Sequence, residues 1–429
     1  MYFSVKINSL SLFFYNLFLV GYTFGIQLAS LWNGKAKKWV LGRRRLMYNV
    51  RSTMEKINHS PIIWMHCASV GEFEQGRPII EKLKAENKNL TIVLTFFSPS
   101  GFEACKNYKE ADAIFYLPMD GKKNAQQFLD ALQPTVVLWI KYEFWYYYLQ
   151  ALKNRKIPTI LVSGTFRDNQ PFFKWYGSFW QQMLHCFSFL FLQNEEGKEL
   201  LSSFQLNNKL VVNGDTRFDR VCAVADNFTS LPLIEKFCGD SKVFIAGSTW
   251  EEDEEKLIHY VKKHPHIKFI IVPHEVDKQN IKDVQKEFQH SILYSQLSTA
   301  NIQHSPSNCL IIDTIGILSR LYYYADVTYV GGGFGSDGVH NVLEPAVYRK
   351  PVLFGPVYQK YIEAVDLIKC GAAITIIDAL HLEKLLDNLF LNENEREKMG
   401  ISAQKYVEEN KGATEKIVNY IYENRLLIN

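Results

Sequence analysis

The stretch Ile62–Gly76 reads IIWMHCASVGEFEQG and passes from apolar residues through small ones to a carboxylate. Four apolar residues in a row at its start are typical of a strand buried on both faces of a sheet. The small residues Ala68, Ser69 and Gly71 then lead into a polar segment, so the stretch predicts a strand, a turn and a helix. Glu72 stands at the entry to that helix.

The same alternation of β-branched runs and amphipathic segments continues along the chain in two series. It predicts parallel sheets covered by helices on both faces, and a looser region near Cys222–Ser241 separates the series. We therefore expect an α/β fold with two doubly wound domains that face a cleft, with ligands beyond the carboxyl ends of the strands. The predicted strands are Ile62–Met65, Leu90–Thr95, Thr135–Ile140, Thr159–Val162, Phe189–Leu192 and Lys209–Val212, then Val243–Ala246, Phe269–Val272, Leu310–Ile312, Val327–Val330, Pro351–Phe354 and Ala373–Ile376.

The composition is that of a globular protein. The chain has 429 residues, 47% of them hydrophobic, and its net charge of +3 does not indicate a nucleic-acid partner. Its length favours two domains over one. The seven cysteines contain no C-x-x-C spacing, which argues against a zinc knuckle or a disulfide scaffold and for a reducing compartment.

An uncharged segment lies near the N-terminus. The run from Leu10 to Trp32 is long enough to cross a bilayer as a helix. Basic residues follow between Lys35 and Arg45, and they favour the cytoplasmic side and anionic lipid, whereas a cleaved signal peptide would carry its charge before the apolar run. We expect residues 1–34 to form a membrane anchor, and a helix lying in the membrane interface is the alternative.

The glycine-rich stretch VGGGFGSDGVHNVLEPA, residues 330–346, follows a predicted strand and leads into a helix near Asn341. Such a loop presents free backbone N–H groups and a positive helix end to a phosphate. Glu344 is placed to accept hydrogen bonds from a ribose. The spacing is not G-x-G-x-x-G, so the stretch predicts a phosphate or nucleotide site but no dinucleotide fingerprint, with a flexible loop as the alternative.

Other loops after strands of the second series carry weaker indications. Ser248 and Thr249 precede an acidic run that suits a helix start, so a ligand contact and a plain helix cap are equal alternatives. Pro273 and His274 end the next strand, and the turn Asp313–Ile317 ends another.

Two carboxylates of the first series follow apolar strands. Glu72 and Glu143 are each held beside apolar residues, which raises the pKa of a carboxyl and suits it to take a proton from a hydroxyl. A charge that suits the helix dipole is the plainer interpretation of Glu72. Arg217, where the two series meet, pairs either with a phosphate or with a neighbouring aspartate. No D-x-D triplet occurs, so we expect neither a metal nor another cofactor.

Taken together, these motifs resemble the membrane-associated Kdo (3-deoxy-D-manno-oct-2-ulosonic acid) transferases of lipopolysaccharide synthesis. The resemblance follows the order of the motifs along nearly the whole chain, and the combination of the first motif with the last is specific. The motifs are HCASVGE, YEFW, GDTRFD, GST with its acidic run, DTIG, and GGG through HNVLEPA with PVLFGP behind.

The resemblance implies a GT-B architecture in which residues 35–220 bind the acceptor and residues 221–429 bind the donor, CMP-Kdo. It implies an inverting transfer of Kdo to the lipid A precursor lipid IVA at the cytoplasmic face of the bacterial inner membrane, among inner-membrane lipids. Glu72 then resembles the general base, and Glu143 and Arg217 resemble residues that stabilise the transition state. The candidate donor-binding residues are Ser248, Thr249, Pro273, His274, Ile315, Gly316, Ile317, Asn341, Val342, Leu343 and Glu344.

The chain departs from the family pattern at three places. His274 stands where an arginine is usual, Ile317 where an acid is usual, and Arg167 is the one candidate to keep the basic function of a third motif. Two rival functions stay open: a GT-B transferase with another nucleotide-sugar and lipid, and a non-catalytic membrane protein that senses a nucleotide-sugar.

Overall fold

The chain forms two compact units in a computed structural model that describes residues 9–57, 61–141, 143–298 and 307–428. Unit 1 comprises Met1–Arg220 and Gly412–Asn429, and unit 2 comprises Val221–Lys411. Residues 1–8 of the predicted anchor and Tyr142 of the YEFW motif lie outside the described residues.

The last helix of the chain packs in unit 1, whereas the sequence analysis placed residues 221–429 together in the second domain. This helix, Ala413–Glu423, buries Ile417, Val418 and Ile421 in the same apolar cluster as Ile63 of the first strand. The apolar stripe of the helix therefore belongs to the core of unit 1.

Unit 1 contains a seven-stranded parallel sheet in the order β3-β2-β1-β4-β5-β6-β7. All six strands predicted for this series are present, and a seventh, β3, was not predicted. The strands are β1 (Ile62–Cys67), β2 (Thr91–Phe96), β3 (Ala113–Tyr116), β4 (Val136–Ile140), β5 (Thr159–Gly164), β6 (Phe189–Leu192) and β7 (Leu210–Val212). The helices that precede unit 2 are α1 (Ser9–Ala29), α2 (Gly34–Gly42), α3 (Leu46–Met54), α4 (Val70–Glu86), α5 (Pro99–Cys105), α6 (Lys122–Leu132), α7 (Tyr146–Asn154), α8 (Ser178–Leu184), α9 (Glu195–Leu201) and α10 (Thr216–Asp226).

Both faces of this sheet are buried. Successive side chains of a strand point to opposite faces, so Trp64 lies in one apolar cluster while Ile63 and Met65 lie in the other. This arrangement requires the continuous apolar runs from which the strands were predicted.

Unit 2 repeats the architecture with a seven-stranded parallel sheet in the order β10-β11-β9-β8-β12-β13-β14. The strands are β8 (Lys242–Thr249), β9 (Ile267–Pro273), β10 (Ile292–Leu293), β11 (Cys309–Ile311), β12 (Val327–Val330), β13 (Val352–Phe354) and β14 (Ala373–Thr375). The helices are α11 (Pro232–Cys238), α12 (Glu251–Lys263), α13 (Lys278–Glu287), α14 (Leu318–Leu321), α15 (Leu343–Ala346), α16 (Ile362–Lys369), α17 (Ala379–Leu391) and α18 (Glu393–Asn410), and the helix Ala413–Glu423 is α19.

The region near Cys222–Ser241 is not loose. It contains the end of α10 and the whole of α11, which begins with a proline at its first position and buries Ile234 and Phe237. Its exposed polar residues lie on these helices and in the short loop between them.

The helix α1 lies against unit 1 along one side. The Tyr15 hydroxyl donates to Asp120 Oδ2 at 2.6 Å, and the Tyr147 hydroxyl donates to Asn16 Oδ1 at 2.7 Å. By length and composition, Leu10–Ala29 is a candidate membrane span. The other side of the helix exposes large apolar side chains at Leu10, Phe13, Phe14, Leu17, Phe18, Val20, Phe24 and Leu28.

Candidate active site

Glu72 lies in the first turn of α4, directly after β1. Its side chain is only 7% exposed, and the Ala68 backbone N–H donates to its Oε2 atom. Gly76, one turn later, sits so close to the sheet that an added Cβ would lie 2.3 Å from Met65 Sδ. At Gly71 the nearest atom to an added Cβ would be Ser69 Oγ, at 3.9 Å, so close packing does not require a glycine there.

Burial raises the pKa of Glu72 to about 8. The Ala68 N–H lowers the pKa, the negative charge of Glu143 raises it, and the positive charge of Lys141 lowers it. The direction agrees with the prediction from sequence, and burial outweighs the helix N-terminus. Above this pKa the carboxylate can accept a proton from a hydroxyl.

Glu143 lies in the loop between β4 and α7, with its side chain 29% exposed. Trp145 Nε1 donates to Glu143 Oε2 at 3.2 Å, and His66 Nε2 lies 3.5 Å from the same oxygen. Trp139 Nε1 donates to the Glu143 carbonyl oxygen at 2.6 Å. These contacts fix the loop, and they hold the carboxylate at the carboxyl edge of the sheet.

Glu72 and Glu143 follow neighbouring strands. Strand β1 pairs with both β2 and β4, and the chain order reverses between β1 and β4. Ligands of doubly wound sheets bind at this reversal, beyond the carboxyl ends of the strands. The structure therefore brings two of the three predicted catalytic residues to the position where the fold favours a site.

Arg217 pairs with Asp215, the neighbouring aspartate that its sequence context offered as one alternative. Its Nε and one terminal nitrogen both lie 2.8 Å from Asp215 Oδ2. Asp215 is buried, and although burial alone would raise its pKa, the charge and hydrogen bonds of Arg217 hold that pKa below its ordinary value. Gln75 Nε2, one turn after Glu72 on α4, donates to the same oxygen at 3.4 Å and so ties Arg217 to the Glu72 helix.

Lys141 was missed by the sequence analysis. It directly follows β4, its backbone adopts a left-handed φ of 59°, and its N–H donates to the Val162 carbonyl at 2.9 Å. A left-handed conformation at a residue other than glycine is uncommon and costs energy. The positive charge of Lys141 lowers the pKa of both Glu72 and Asp215. The sequence did contain one indication of this residue, because a lysine directly follows the apolar run of β4.

The glycine-rich loop of unit 2 is packed more tightly than expected. An added Cβ at Gly333 would lie 2.6 Å from the Gly355 nitrogen, and one at Gly331 would lie 2.3 Å from the Ser248 carbonyl oxygen. The Gly332 N–H donates to Asp253 Oδ2 at 2.8 Å, and the Gly331 N–H also donates within the protein. The expectation that the loop presents these N–H groups to a phosphate is therefore wrong for both, because close packing of the backbone explains the glycines.

The helix that follows the loop is a single turn, α15. Val342 and Leu343 are fully buried, so their side chains belong to the core and any ligand contact at these positions would come from the backbone. The Asn341 side chain donates to Glu344 Oε1 at 3.2 Å and accepts from the Leu343 N–H at 3.3 Å. Both polar side chains lie together at the start of the turn.

The hydroxyl of Thr249 is committed to the protein. It donates to Glu254 Oε1 at 2.7 Å in a buried pair, so Thr249 and the acidic run form a structural contact. Burial raises the pKa of Glu254 to about 7. Ser248 is half-buried with a left-handed φ of 55°, and Pro273 is the buried last residue of β9. Of these candidates, Ser248 alone keeps a side chain near the surface.

A stack of three rings lies at the ends of β8 and β9. His274 stacks on His340 at 4.4 Å between centroids and on Trp250 at 4.7 Å, and Trp250 Nε1 donates to His340 Nε2 at 3.0 Å. Burial lowers the pKa of His274, and burial with the charge of His274 lowers the pKa of His340 to about 4. The stack is therefore uncharged at neutral pH. No periodicity in the sequence identifies Trp250 and His340 as members of this stack.

The DTIG turn is held by its aspartate. The Ser295 N–H donates to Asp313 Oδ1 at 2.9 Å, and Gly316 adopts a φ of 94° that requires glycine. Ile315 is 85% exposed, and Ile317 is half-buried. The turn follows β11, at the same sheet edge as His274 and Ser248.

A family model described as 3-Deoxy-D-manno-octulosonic-acid transferase (kdotransferase) matches residues 41–220. The matched segment is thus similar to the Kdo transferase family over less than half of the chain. That segment contains Glu72, Glu143 and Arg217, together with Lys141 and Asp215.

Relatives extend the similarity beyond the matched segment. A bifunctional glycosyltransferase/methyltransferase of Fusobacterium nucleatum subsp. nucleatum is 28% identical over 377 residues, which are 85% of this chain and 55% of that protein. The chain thus spans about half the length of this relative. A 3-deoxy-D-manno-octulosonic acid transferase of Haemophilus influenzae is 24% identical over 378 residues, with 84% of this chain and 86% of the relative covered.

The fold matches solved structures. The UDP-GlcNAc 2-epimerase of Neisseria meningitidis, bound to UDP-GlcNAc, gives a TM-score of 0.59 at 17% identity and covers 84% of this chain and 100% of its own. This likeness concerns the fold. Together, this likeness and the two parallel seven-stranded sheets confirm the predicted GT-B class of two Rossmann-like units.

Proposed function

We propose that this protein is an inverting glycosyltransferase that moves Kdo from CMP-Kdo to a lipid A precursor in lipopolysaccharide synthesis. The observation that carries the proposal is Glu72, a buried carboxyl with a pKa of about 8 at the strand edge of the segment that the Kdo transferase model matches. Such a group is poised to exchange a proton near neutral pH, which is what the attack of a sugar hydroxyl requires.

In the proposed reaction, the carboxylate of Glu72 takes the proton of an acceptor hydroxyl. The hydroxyl oxygen forms a bond to the anomeric carbon of Kdo, and the bond from that carbon to the phosphate oxygen of CMP breaks. The bonding electron pair leaves with CMP, and a single displacement inverts the anomeric configuration. Removal of a general base typically costs two to four orders of magnitude in rate.

Glu143 and Arg217 are proposed to stabilise the transition state. Arg217 is held in one orientation by Asp215, so its positive charge is fixed before the substrate arrives. Lys141 adds a second positive charge that acts on the same edge of the sheet. These cations are proposed to take the part that a metal ion plays in transferases with a D-x-D triplet, which this sequence lacks.

The donor is proposed to bind unit 2, at the edge formed by Ser248, His274, the Ile315–Ile317 turn and Asn341–Glu344. The ring stack of Trp250, His274 and His340 offers a flat, uncharged surface there. A flat surface of this kind suits a base or a sugar face better than it suits a phosphate. His274 is thus a candidate for contact with the nucleoside part of the donor.

The protein is proposed to act at the cytoplasmic face of the inner membrane, held there by α1. The helix contacts unit 1 on one side and exposes apolar side chains on the other, a pattern that suits a helix lying in the membrane interface. The basic residues between Lys35 and Arg45 would then meet anionic headgroups.

Donor choice is the experiment that tests this function. Purified protein in detergent is incubated with lipid IVA and either CMP-Kdo made in the tube or a UDP-sugar, and the lipid is resolved by mass spectrometry. We expect a mass gain of one or more Kdo units with CMP-Kdo alone. A gain with the UDP-sugar would favour another GT-B transferase, and CMP binding without any gain would favour a sensor.

A further inference from the structure

Unit 1 contains a cavity of about 670 Å³ beside α1, which we call the α1 cavity. One wall comes from the N-terminal half of α1, a second from the loop after β4, and a third from α8 and the segment before it. Its volume lies in the range of sites that bind small organic ligands. The residues that define it here are Phe14, Phe18, Glu143, Phe172, Trp180 and Met183.

The wall formed by α1 is fixed in place. The Tyr15 hydroxyl accepts a hydrogen bond from the Tyr146 N–H at 3.2 Å while it donates to Asp120, so it joins α1 to the start of α7. The ring of Tyr15 also packs on Phe179 of α8, with centroids 5.2 Å apart. The α1 cavity is therefore enclosed by elements that contact one another, and α1 is part of the unit at this point.

The rim of the α1 cavity is continuous with the exposed face of α1. Phe14 and Phe18 line the cavity and yet are 57% and 54% exposed. Phe13 and Leu17 extend the same uncharged surface along the helix. A contiguous apolar surface of this size on a helix indicates contact with lipid. The opening of the α1 cavity thus faces the hydrocarbon of the membrane. An acyl chain is the ligand that this medium provides.

The lining of the α1 cavity is polar where the loop after β4 contributes to it. Glu143 lies there, with its carboxylate near His66 and Trp145 and its charge raising the pKa of Glu72. A molecule that places a hydrocarbon tail against Phe14 and Phe18 therefore has its polar part at the edge of the sheet. This gradient from apolar to polar fits an amphiphile and not a free hydrocarbon.

The C-terminal half of α1 borders a second cleft, which is basic. Gln27 of α1 lines it together with Arg43, Arg44 and Arg45. Arg43 is turned inward and donates to the carbonyl oxygens of Leu117 and Phe97, whereas Arg44 and Arg45 are exposed. The surface along α1 therefore combines an apolar cavity with exposed cations, which complements a lipid that carries phosphate groups.

We propose that the α1 cavity binds one acyl chain of the acceptor lipid and thereby selects the acceptor by its acylation. The inference rests on the proposed function, because it takes the acceptor to be an acylated, phosphorylated glucosamine disaccharide. The bound chain positions the headgroup beside Glu143 and Glu72. An acceptor without acyl chains lacks this anchor and binds more weakly.

The first test measures occupancy without turnover. A lipid IVA analogue with bromine atoms on one acyl chain is held at low mole fraction in detergent micelles, and tryptophan fluorescence is recorded. Bromine quenches tryptophans in contact with it, and both Trp145 and Trp180 line the cavity. We therefore expect quenching that is reduced in Trp180→Phe and fully kept in Trp175→Phe. Trp175 is 96% exposed and does not line the cavity, which makes it the matched control. Equal quenching in both variants overturns the proposal.

The second test separates the α1 cavity from the general membrane contact. Ser11→Trp fills the cavity from the α1 side. Leu10→Trp introduces the same side chain at a neighbouring exposed position that does not line the cavity. We expect Ser11→Trp to raise the KM for lipid IVA at least tenfold, leave the KM for CMP-Kdo unchanged, and shift preference toward shorter chains. Leu10→Trp should resemble the wild type. If acyl length has no effect on either variant, the proposal is overturned.

The two tests also separate this inference from the proposed function. Quenching through Trp180 without any Kdo transfer would reject the proposed reaction and support an acyl-chain site. Kdo transfer with no Trp180-dependent quenching would support the reaction and overturn the site.

Discussion

The positive charge of Lys141, which follows β4, lowers the pKa of Glu72, which follows the paired strand β1. Burial raises the pKa of Glu72 to about 8, and the positive charge of Lys141 keeps that pKa lower than burial would otherwise make it. The pH at which the proposed base becomes active is therefore set by both residues.

Lys141→Met is predicted to shift the pH dependence of Kdo transfer. Because the cation that favours the carboxylate is removed, the pKa of Glu72 rises and the rising limb of kcat/KM moves to higher pH. Activity at pH 7 falls several-fold, while part of it returns above pH 8. The measurement is kcat/KM from pH 6 to 9.5.

Lys156→Met is the matched control. Lys156 has the same left-handed backbone, with a φ of 57°, but it precedes β5 at the opposite edge of the sheet. Its pH profile should coincide with that of the wild type. A Lys141→Met profile that keeps the wild-type midpoint would show that Lys141 does not act on Glu72.

Glu72→Gln is predicted to stabilise the fold as the pH rises. A carboxyl with a raised pKa in the folded state binds its proton more tightly there, so its contribution to stability is present at low pH and is lost as the pH rises from about 4.5 to 8. Gln does not titrate, so its advantage over the wild type should grow across this window, by the order of a few kcal/mol. Urea denaturation at pH 5 and pH 8 measures it, with the exposed Glu110→Gln as the control. A difference that is the same at both pH values would contradict the buried state of Glu72.

Arg217→Ala is predicted to destabilise unit 1 through Asp215. The substitution leaves a buried carboxylate with Gln75 and Gln193 as polar contacts but without its cation. Breaking a buried ion pair in this way costs about 3 kcal/mol. The double variant Arg217→Ala/Asp215→Asn should regain part of the loss, because the uncompensated charge is gone. The denaturant midpoints of the wild type, the single variant and the double variant measure this effect. If the double variant regains no stability, the unpaired charge of Asp215 is not the cause of the loss.

Gly333→Ala is predicted to disturb the glycine-rich loop, whereas Gly335→Ala is tolerated. The new Cβ at 333 meets the backbone of Gly355 at 2.6 Å, while at 335 the nearest atom is 3.6 Å away. We expect Gly333→Ala to lower the melting temperature of unit 2 and to reduce its further rise on addition of CMP. Equal melting behaviour of the two variants would show that the loop adjusts without cost.

The sheets were predictable because their physical cause is local. Continuous apolar runs such as Val136–Ile140 must be buried on both faces, and this requirement fixed twelve strands and the doubly wound class. Strand β10 has only two residues and no pattern to detect. The return of α19 to unit 1 depends on which core accepts its apolar stripe, and periodicity does not carry that information.

The site was only partly predictable for a similar reason. Glu72 was singled out because a carboxylate directly after an apolar strand is a local pattern. The pairing of Arg217 with Asp215, two residues away, was one of the local alternatives. The ring stack of Trp250 with His274 and His340 depends on contacts between distant segments. The glycines of the loop were attributed to a ligand, yet Gly331 and Gly333 are required by neighbouring backbone.

The role of Glu72 as the general base is tested most directly by the rate of Kdo transfer by Glu72→Gln. Wild type and variant are compared at pH 8.5 with saturating CMP-Kdo and lipid IVA, and CMP binding is measured on the same samples. We predict that the variant binds CMP like the wild type and transfers Kdo at least about 100-fold more slowly, because the group that accepts the hydroxyl proton is gone. Transfer at nearly the wild-type rate would contradict the role of Glu72 as the general base.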